Sequence, residues 1–336
     1  GLFPAKKFEY QLYPMYAFGN NDVSGLGHIR FNFLSSSSVI RMWHFGISVL
    51  QYAYDNEQGS NFQKIEGKLQ VKFRNHPYNA DLKRSLAYRT ILASAIDEIN
   101  LGKTPDLKSF HEIKYAHFMK RSINPYSFKM TARAGEDFGK IWLDAYYKIS
   151  YYKGKGLKID GFAGFFLWSS TNLDSEYAFH LSGIAGYQDY LYDKQHFGRF
   201  EYMNDPGRNT YLSNQFTKNQ GGFVLYSPVG ITDEWLTSLN LTSSLPFRNI
   251  NLPVELYANA AVYGNSVLPN QKDPGFAYET GVDISLLRGI LKFYFPVFAS
   301  QELWDANSNL TNNYFERIRF SFNLDLMSPH EMLNIF

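Results

Sequence analysis

The chain has 336 residues, 33 Lys+Arg against 31 Asp+Glu for a net charge of +2, and no cysteine. Near-neutral charge, with Lys and Arg scattered along the chain, supplies no basic field for nucleic acid, and the missing cysteine excludes a disulfide framework, a thiolate metal site and a cysteine nucleophile. No apolar run approaches the roughly 18 residues that a transmembrane helix requires, so any membrane crossing has to be made by strands closed into a barrel.

Phe, Tyr and Trp make up 18% of the residues, yet mean hydropathy is -0.32. A transmembrane barrel reconciles the two: every second residue meets lipid, aromatics form girdles at both interfaces, and polar residues line the interior. In chain order, 8–18 predicts a strand, with Phe8, Tyr10, Leu12, Tyr16 and Phe18 on one face and Pro14 suited to an edge or bulge. The turn residues Gly19-Asn-Asn-Asp22 follow. Ile29, Phe31 and Phe33 then oppose His28, Arg30 and Asn32, and a third strand is predicted over 39–53. The alternation is cleanest where Ile65, Gly67, Leu69, Val71 and Phe73 separate from Glu66, Lys68, Gln70, Lys72 and Arg74, a division that no helix can make.

Further strands are predicted near 83–96, 111–119, 126–133, 140–152, 158–169, 178–187, 215–226, 236–245, 254–262, 276–284 and 291–298. The stretch 83–100 also suits a helix through Leu86, Ile91 and Ile96. The final strand is 315–326, with Ile318, Phe320, Phe322, Leu324 and Leu326 opposing Arg317, Arg319, Ser321, Asn323 and Asp325. Between these, 188–213 and 300–313 read as long polar surface loops and Leu286-Leu-Arg-Gly289 as a short turn. The expected fold class is therefore all-β, an antiparallel up-and-down transmembrane β-barrel of about 16 strands in one domain, 1–336. One conflict remains. If 286–289 is periplasmic and 300–313 external, counting back through these strands puts 188–213 on the periplasmic side, the wrong end for a long loop.

The strings Gly221-Gly-Phe-Val-Leu-Tyr-Ser-Pro-Val-Gly230, Trp235-Leu-Thr-Ser-Leu-Asn-Leu241, Leu291-Lys-Phe-Tyr-Phe-Pro-Val-Phe-Ala-Ser300 and Arg317-Ile-Arg-Phe-Ser-Phe-Asn-Leu324 resemble the C-terminal membrane barrel of Bacteroidota M1-type metallopeptidases. The resemblance is clearest over 138–336. It implies a bacterial outer-membrane location, the lipid bilayer and lipopolysaccharide as surroundings, partners in an outer-membrane protein complex, and a zinc aminopeptidase-like domain N-terminal to Gly1. The start at Gly1, without Met or signal peptide, is expected of a processed chain or of part of a longer one.

The chemistry of that family requires His-Glu-x-x-His on a helix, with two imidazoles on zinc and Glu as general base. Two strings fall short. His111-Glu112 is followed by Tyr115 and His330-Glu331 by Asn334 where the second His belongs, so no metal, cofactor or catalytic residue is assigned. His196, with Asp189, Asp193 and Glu201, is the one loop cluster resembling a rim hydrolase, and a lone loop His is ordinarily only solvated. The inward charges Lys68, Lys72, Arg317, Arg319, Glu66 and Asp325 read as an internal salt-bridged network before a selectivity filter. Asn240-Leu-Thr and Asn309-Leu-Thr match a glycosylation sequon that a bacterial barrel leaves unused. The tail 327–336, broken at Pro329, is expected to leave the ladder. The function expected is a noncatalytic membrane anchor or docking barrel. The alternatives are a porin-like channel for small polar solutes, a rim-active hydrolase and a soluble sandwich.

Overall fold

The computed structural model describes residues 7–17, 22–55, 60–75, 81–94, 107–151, 155–183, 188–193, 215–246, 253–267, 274–310 and 313–322. Sixteen strands are found among them: β1 (Lys7–Ala17), β2 (Asp22–Leu34), β3 (Ile40–Asp55), β4 (Ser60–Phe73), β5 (Leu82–Ser94), β6 (Leu107–Met119), β7 (Tyr126–Ala134), β8 (Phe138–Ser150), β9 (Gly156–Ser169), β10 (Phe179–His180), β11 (Ile231–Thr232), β12 (Trp235–Ser244), β13 (Val254–Tyr263), β14 (Gly275–Leu286), β15 (Leu291–Ala299) and β16 (Arg319–Phe322). A single α-helix among the described residues, α1 (Gln301–Leu310), joins β15 to β16. Fourteen strands form one sheet in the order β1 to β9 and then β12 to β16, while β10 and β11 make a separate pair. Chain order and spatial order coincide, so the all-β, antiparallel up-and-down fold class expected from the alternation is borne out. The stretch that also suited a helix is β5.

The chain divides into two compact units, Gly1–Arg121 with Ser127–Ile141 and Ser122–Tyr126 with Trp142–Phe336. In the first unit the registers line up apolar residues across the sheet. Phe8 pairs with Phe31, Phe31 with Phe45, Phe45 with Leu69, Leu69 with Tyr88 and Tyr88 with Ile113. Every member of this row is 38 to 54% exposed. One residue along, the opposite face carries Glu9, Arg30, Gly46, Lys68, Arg89 and Glu112 in register. The period of two has thus sorted the sheet into an apolar face that is exposed among the described residues and a charged face. Several charges on that second face pair within the wall. Arg89 donates to Glu66 and Glu112, both at 3.2 Å, and the Arg133 Nε donates to Glu112 at 3.0 Å. This is the salt-bridged network expected for Glu66, although Lys68 and Lys72 take no part in it.

In the second unit β9, β12, β13, β14, β15 and β16 are each antiparallel to the next. Residues 170–234 therefore leave the sheet at the end where β9 finishes and β12 starts. The β13–β14 and β15–β16 connections leave at that same end. The crossings predicted at 178–187 and 215–226 are corrected here: among the described residues the first contains only the two-residue β10, and the second contains no named strand. Removing both resolves the loop conflict, because the long insertion now emerges beside the β15–β16 connection. That connection is itself half helix, not loop. The strand predicted from 315 begins at Arg319, since Tyr314–Arg317 form a 3-10 turn capped by the Asn313 side chain, which accepts from the Phe315 N–H at 3.1 Å. The tail 327–336 lies outside the described residues.

Candidate functional site

The described parts of the inserted segment, 170–183, 188–193 and 215–234, fold back onto the polar face of their own sheet. Its apolar residues Tyr177, Phe179, Leu181, Phe223, Leu225 and Ile231 are all at most 1% exposed. The wall makes room for them with small residues. Phe179 sits edge-on between Phe162 and Phe166 of β9, with centroids 5.6 and 4.9 Å away, and Gly164 lies between those two on the same face. A Cβ on Gly164 would be 2.6 Å from Phe179 Cζ, so glycine there is a steric requirement. Lower on the wall Phe216 packs edge-on against Tyr294 of β15 at 5.1 Å, completing a cluster with Val224 and Tyr257.

Several described main-chain groups of the segment bond to one another without a crossing ladder. The Phe223 N–H donates to the Leu181 carbonyl at 3.1 Å, the Gly183 N–H to the Phe223 carbonyl at 3.0 Å, and the Leu181 N–H to the Gly230 carbonyl at 3.1 Å. Gly222 and Gly230 adopt φ of +68° and +72°, the left-handed region in which glycine carries no Cβ penalty. These two residues turn the chain so that the stretch between them faces the wall.

Wall side chains supply the remaining partners. Glu279, fully buried on β14, accepts from the Val224 N–H at 2.5 Å, the Leu225 N–H at 2.9 Å and the Asn259 Nδ2 at 2.7 Å. Arg319 of β16 donates to the Val224 carbonyl at 2.8 Å and the Gln215 carbonyl at 2.7 Å. Asn240 Nδ2 donates to the Gly221 carbonyl at 3.0 Å and Ser238 Oγ to the Gln220 carbonyl at 3.2 Å, both from β12. One carboxylate and one guanidinium thus clamp Val224 at its two backbone polar groups. Helix α1 closes over the outer end: Leu303 is buried, Asn307 Nδ2 donates to the Tyr226 carbonyl at 2.7 Å, and Arg317 lies 5.0 Å over the Trp304 ring. Arg319 is inward as expected, whereas Arg317 is spent on Trp304.

Nearer the opposite end of the same wall, Glu255 accepts from Lys158 Nζ at 2.7 Å and Lys292 Nζ at 2.9 Å, and Lys292 also reaches Asp283 at 3.4 Å. These are internal ion pairs across β9, β13, β14 and β15. The sequence reading passed over Glu255 and Glu279, because a strand pattern marks an inward carboxylate without naming its partner.

The residues weighed for chemistry fall apart spatially. His111 stacks on Tyr88 at the exposed face, its Nδ1 2.9 Å from the Tyr88 hydroxyl, while Glu112 is buried on the other face. A strand cannot bring the two to one metal. Asp189 caps a turn, its Oδ1 accepting from the Asp193 N–H at 3.0 Å. His196, Glu201, Asp325, His330 and Glu331 lie outside the described residues. Buried His180 holds the Ser175 carbonyl through Nε2 at 2.7 Å. Beside it, burial and the Glu176 carboxylate raise the Tyr177 phenol far above its ordinary range, so that hydroxyl stays protonated. Asn240 is 3% exposed and bonded to Gly221, which closes that sequon to modification. The arrangement is chemically a lock between wall and insertion.

The chain matches no protein-family model and no curated protein. The metallopeptidase-barrel likeness therefore rests on its sequence strings alone. Among solved structures the chain is similar to BamA from Haemophilus ducreyi lacking POTRA domains 1–3, with a TM-score of 0.43 and 9% sequence identity over 88% of this chain and 67% of that chain.

Proposed function

We propose that this chain is a bacterial outer-membrane β-barrel whose interior is occupied by its own 170–234 segment, and that it acts as a noncatalytic anchor or docking subunit in an outer-membrane complex. The observation that carries the reading is the backbone clamp on Val224 by Glu279 and Arg319. A wall built to conduct would turn those groups to water. The continuous apolar row on the other face supports lipid contact, since a soluble protein leaves no exposed apolar patch of that extent. An even strand count also lets the first and last strands of the meander pair antiparallel. The metallopeptidase-like domain implied by the sequence strings would be the anchored cargo, in a membrane bounded by lipopolysaccharide.

Conductance in a planar bilayer tests this. The protein should insert and pass little current, and deletion of 179–232, replaced by a short Gly/Ser linker, should open steps of porin size. Large steady conductance from the intact chain would overturn the occupied interior and favour the porin-like reading.

A further inference from the structure

The charged face of the first unit contains a region unlike the rest. Lys68 and Lys72 on β4 and Lys83 on β5 are exposed, and among the described residues none of the three forms an ion pair. They surround a floor of small or neutral side chains. Gly46 is the cross-strand neighbour of both Arg30 and Lys68, Gln70 lies opposite His44, Ser85 opposite Lys72, and Ala87 opposite Gln70. Lys83 stands two residues from Ser85 on the same face, so it is the diagonal neighbour of Lys72, roughly 7–8 Å away in a regular ladder. Arg30 adds a fourth cation at the rim, neutralised by Glu9, which accepts from its Nε at 2.8 Å. His44 closes the floor. It is 7% exposed, its Nδ1 is hydrogen-bonded to Asn32 Oδ1, and its Nε2 is buried without a hydrogen-bond partner.

Like charges at neighbouring cross-strand positions repel and destabilise a sheet. Six other cations have acids beside them: Arg89 and Arg133 have Glu112, Lys158 and Lys292 have Glu255, Lys108 has Asp137 and Lys218 has Asp160. Glu9 is taken by Arg30 and Glu66 by Arg89, which leaves Lys68, Lys72 and Lys83 exposed over small or neutral side chains, an arrangement complementary to an anion. Its place on the face opposite the apolar row favours a water-borne ligand over a lipid headgroup, whose acyl chains would have to cross charged residues.

We propose that Lys68, Lys72, Lys83 and His44 form a binding site for a water-soluble, multiply charged oxyanion of the polyphosphate or polycarboxylate class. Sodium tripolyphosphate serves as the probe, titrated calorimetrically into the protein in phosphatidylcholine nanodiscs. Saturable binding is expected at about 25 mM NaCl, weakening about tenfold at about 150 mM as screening shortens the reach of the field. The triple variant Lys68→Gln, Lys72→Gln, Lys83→Gln should lose at least about tenfold in affinity. These lysines are exposed, so the variant folds, and an unchanged urea midpoint verifies it. The control variant Lys148→Gln, Lys155→Gln, Lys218→Gln should stay within about threefold. No saturable heat, equal affinity in the triple variant, or equal loss in the control would each overturn the site. Nanodiscs containing phosphatidylglycerol should leave binding unchanged. Abolition there would give the cluster to lipid headgroups and overturn the water-borne assignment. None of these outcomes depends on whether the 170–234 segment blocks conductance.

Discussion

Glu279→Ala tests the lock between wall and insertion most directly. The substitution removes the acceptor for the Val224 and Leu225 N–H groups and for the Asn259 amide, while Arg319 keeps its bonds to the Val224 and Gln215 carbonyls. Each buried donor left unsatisfied costs about 1–3 kcal/mol, more where the lost bond was charge-assisted. Two backbone donors alone give about 3 kcal/mol, close to a hundredfold shift in the opening equilibrium of the segment. The strand ladder keeps its own hydrogen bonds, so the penalty falls on the segment. The chain has no cysteine, which makes a single reporter clean: Ser227→Cys, at a position 1% exposed, is labelled only when the segment opens. Maleimide labelling in membranes should accelerate about a hundredfold in Glu279→Ala. Glu279→Gln, which keeps one acceptor oxygen and loses the charge, should give about tenfold. Rates within about threefold of the parent for both variants would refute the lock.

Three further substitutions probe the rest of the structure. Leu69→Arg places a charge in the middle of the apolar row and should cost about 2–4 kcal/mol in refolding into lipid vesicles, whereas Ser48→Arg on the charged face, opposite Glu66, should cost under about 1; similar costs for the two would remove the lipid-facing assignment. Gly221→Ala brings a Cβ to within 2.6 Å of Leu181 Cα, so the segment has to shift, and labelling at Ser227→Cys should rise at least about tenfold, with unchanged rates counting against the packing described. Glu255→Ala leaves Lys158 and Lys292 facing each other without their shared carboxylate and should lower stability to urea by about 2 kcal/mol, a figure reduced for the partial exposure of Lys158; Glu255→Gln should recover part of it, and a parent-like midpoint in both variants would show the pairs to be energetically idle.

How much of this could be read from the sequence depended on where each residue's partner lies. In β4 one face is apolar and exposed and the other charged, so a period of two carries the whole signal, and Ile65 to Phe73 were placed correctly. Over 178–187 and 215–226 the same alternation misled. Phe179, Leu181, Phe216 and Phe223 are extended and buried, but they pack against a wall instead of completing it, and periodicity does not distinguish an extended inserted chain from a spanning strand. The paired glycines Gly221 and Gly222, followed by Gly230, were the available warning, since left-handed turns so close together break a ten-residue crossing. In α1 the buried Leu303 and Asn307 are four apart, a helical spacing that the polar composition of Gln301–Leu310 concealed. Glu279 could not have been singled out, because its partners are 54 and 55 residues away along the chain.

The wall residues themselves argue that the insertion belongs to the folded state. Ser238, Asn240, Asn259 and Glu279 are 0 to 6% exposed and point to the face that, in a water-filled pore, would be hydrated. A porin places charged groups there because water satisfies them at no cost in geometry. Here the Asn240 amide, the Ser238 hydroxyl and the Glu279 carboxylate, itself held by Asn259, are spaced to meet the backbone polar groups of Gly221, Gln220, Val224 and Leu225, while Gly164 leaves the hollow that Phe179 fills. Without the segment, those groups would lose their partners and the hollow its aromatic ring, a loss no single compensating contact restores. The polar groups of this wall are thus matched to a protein occupant, where a conducting lumen would leave them to water.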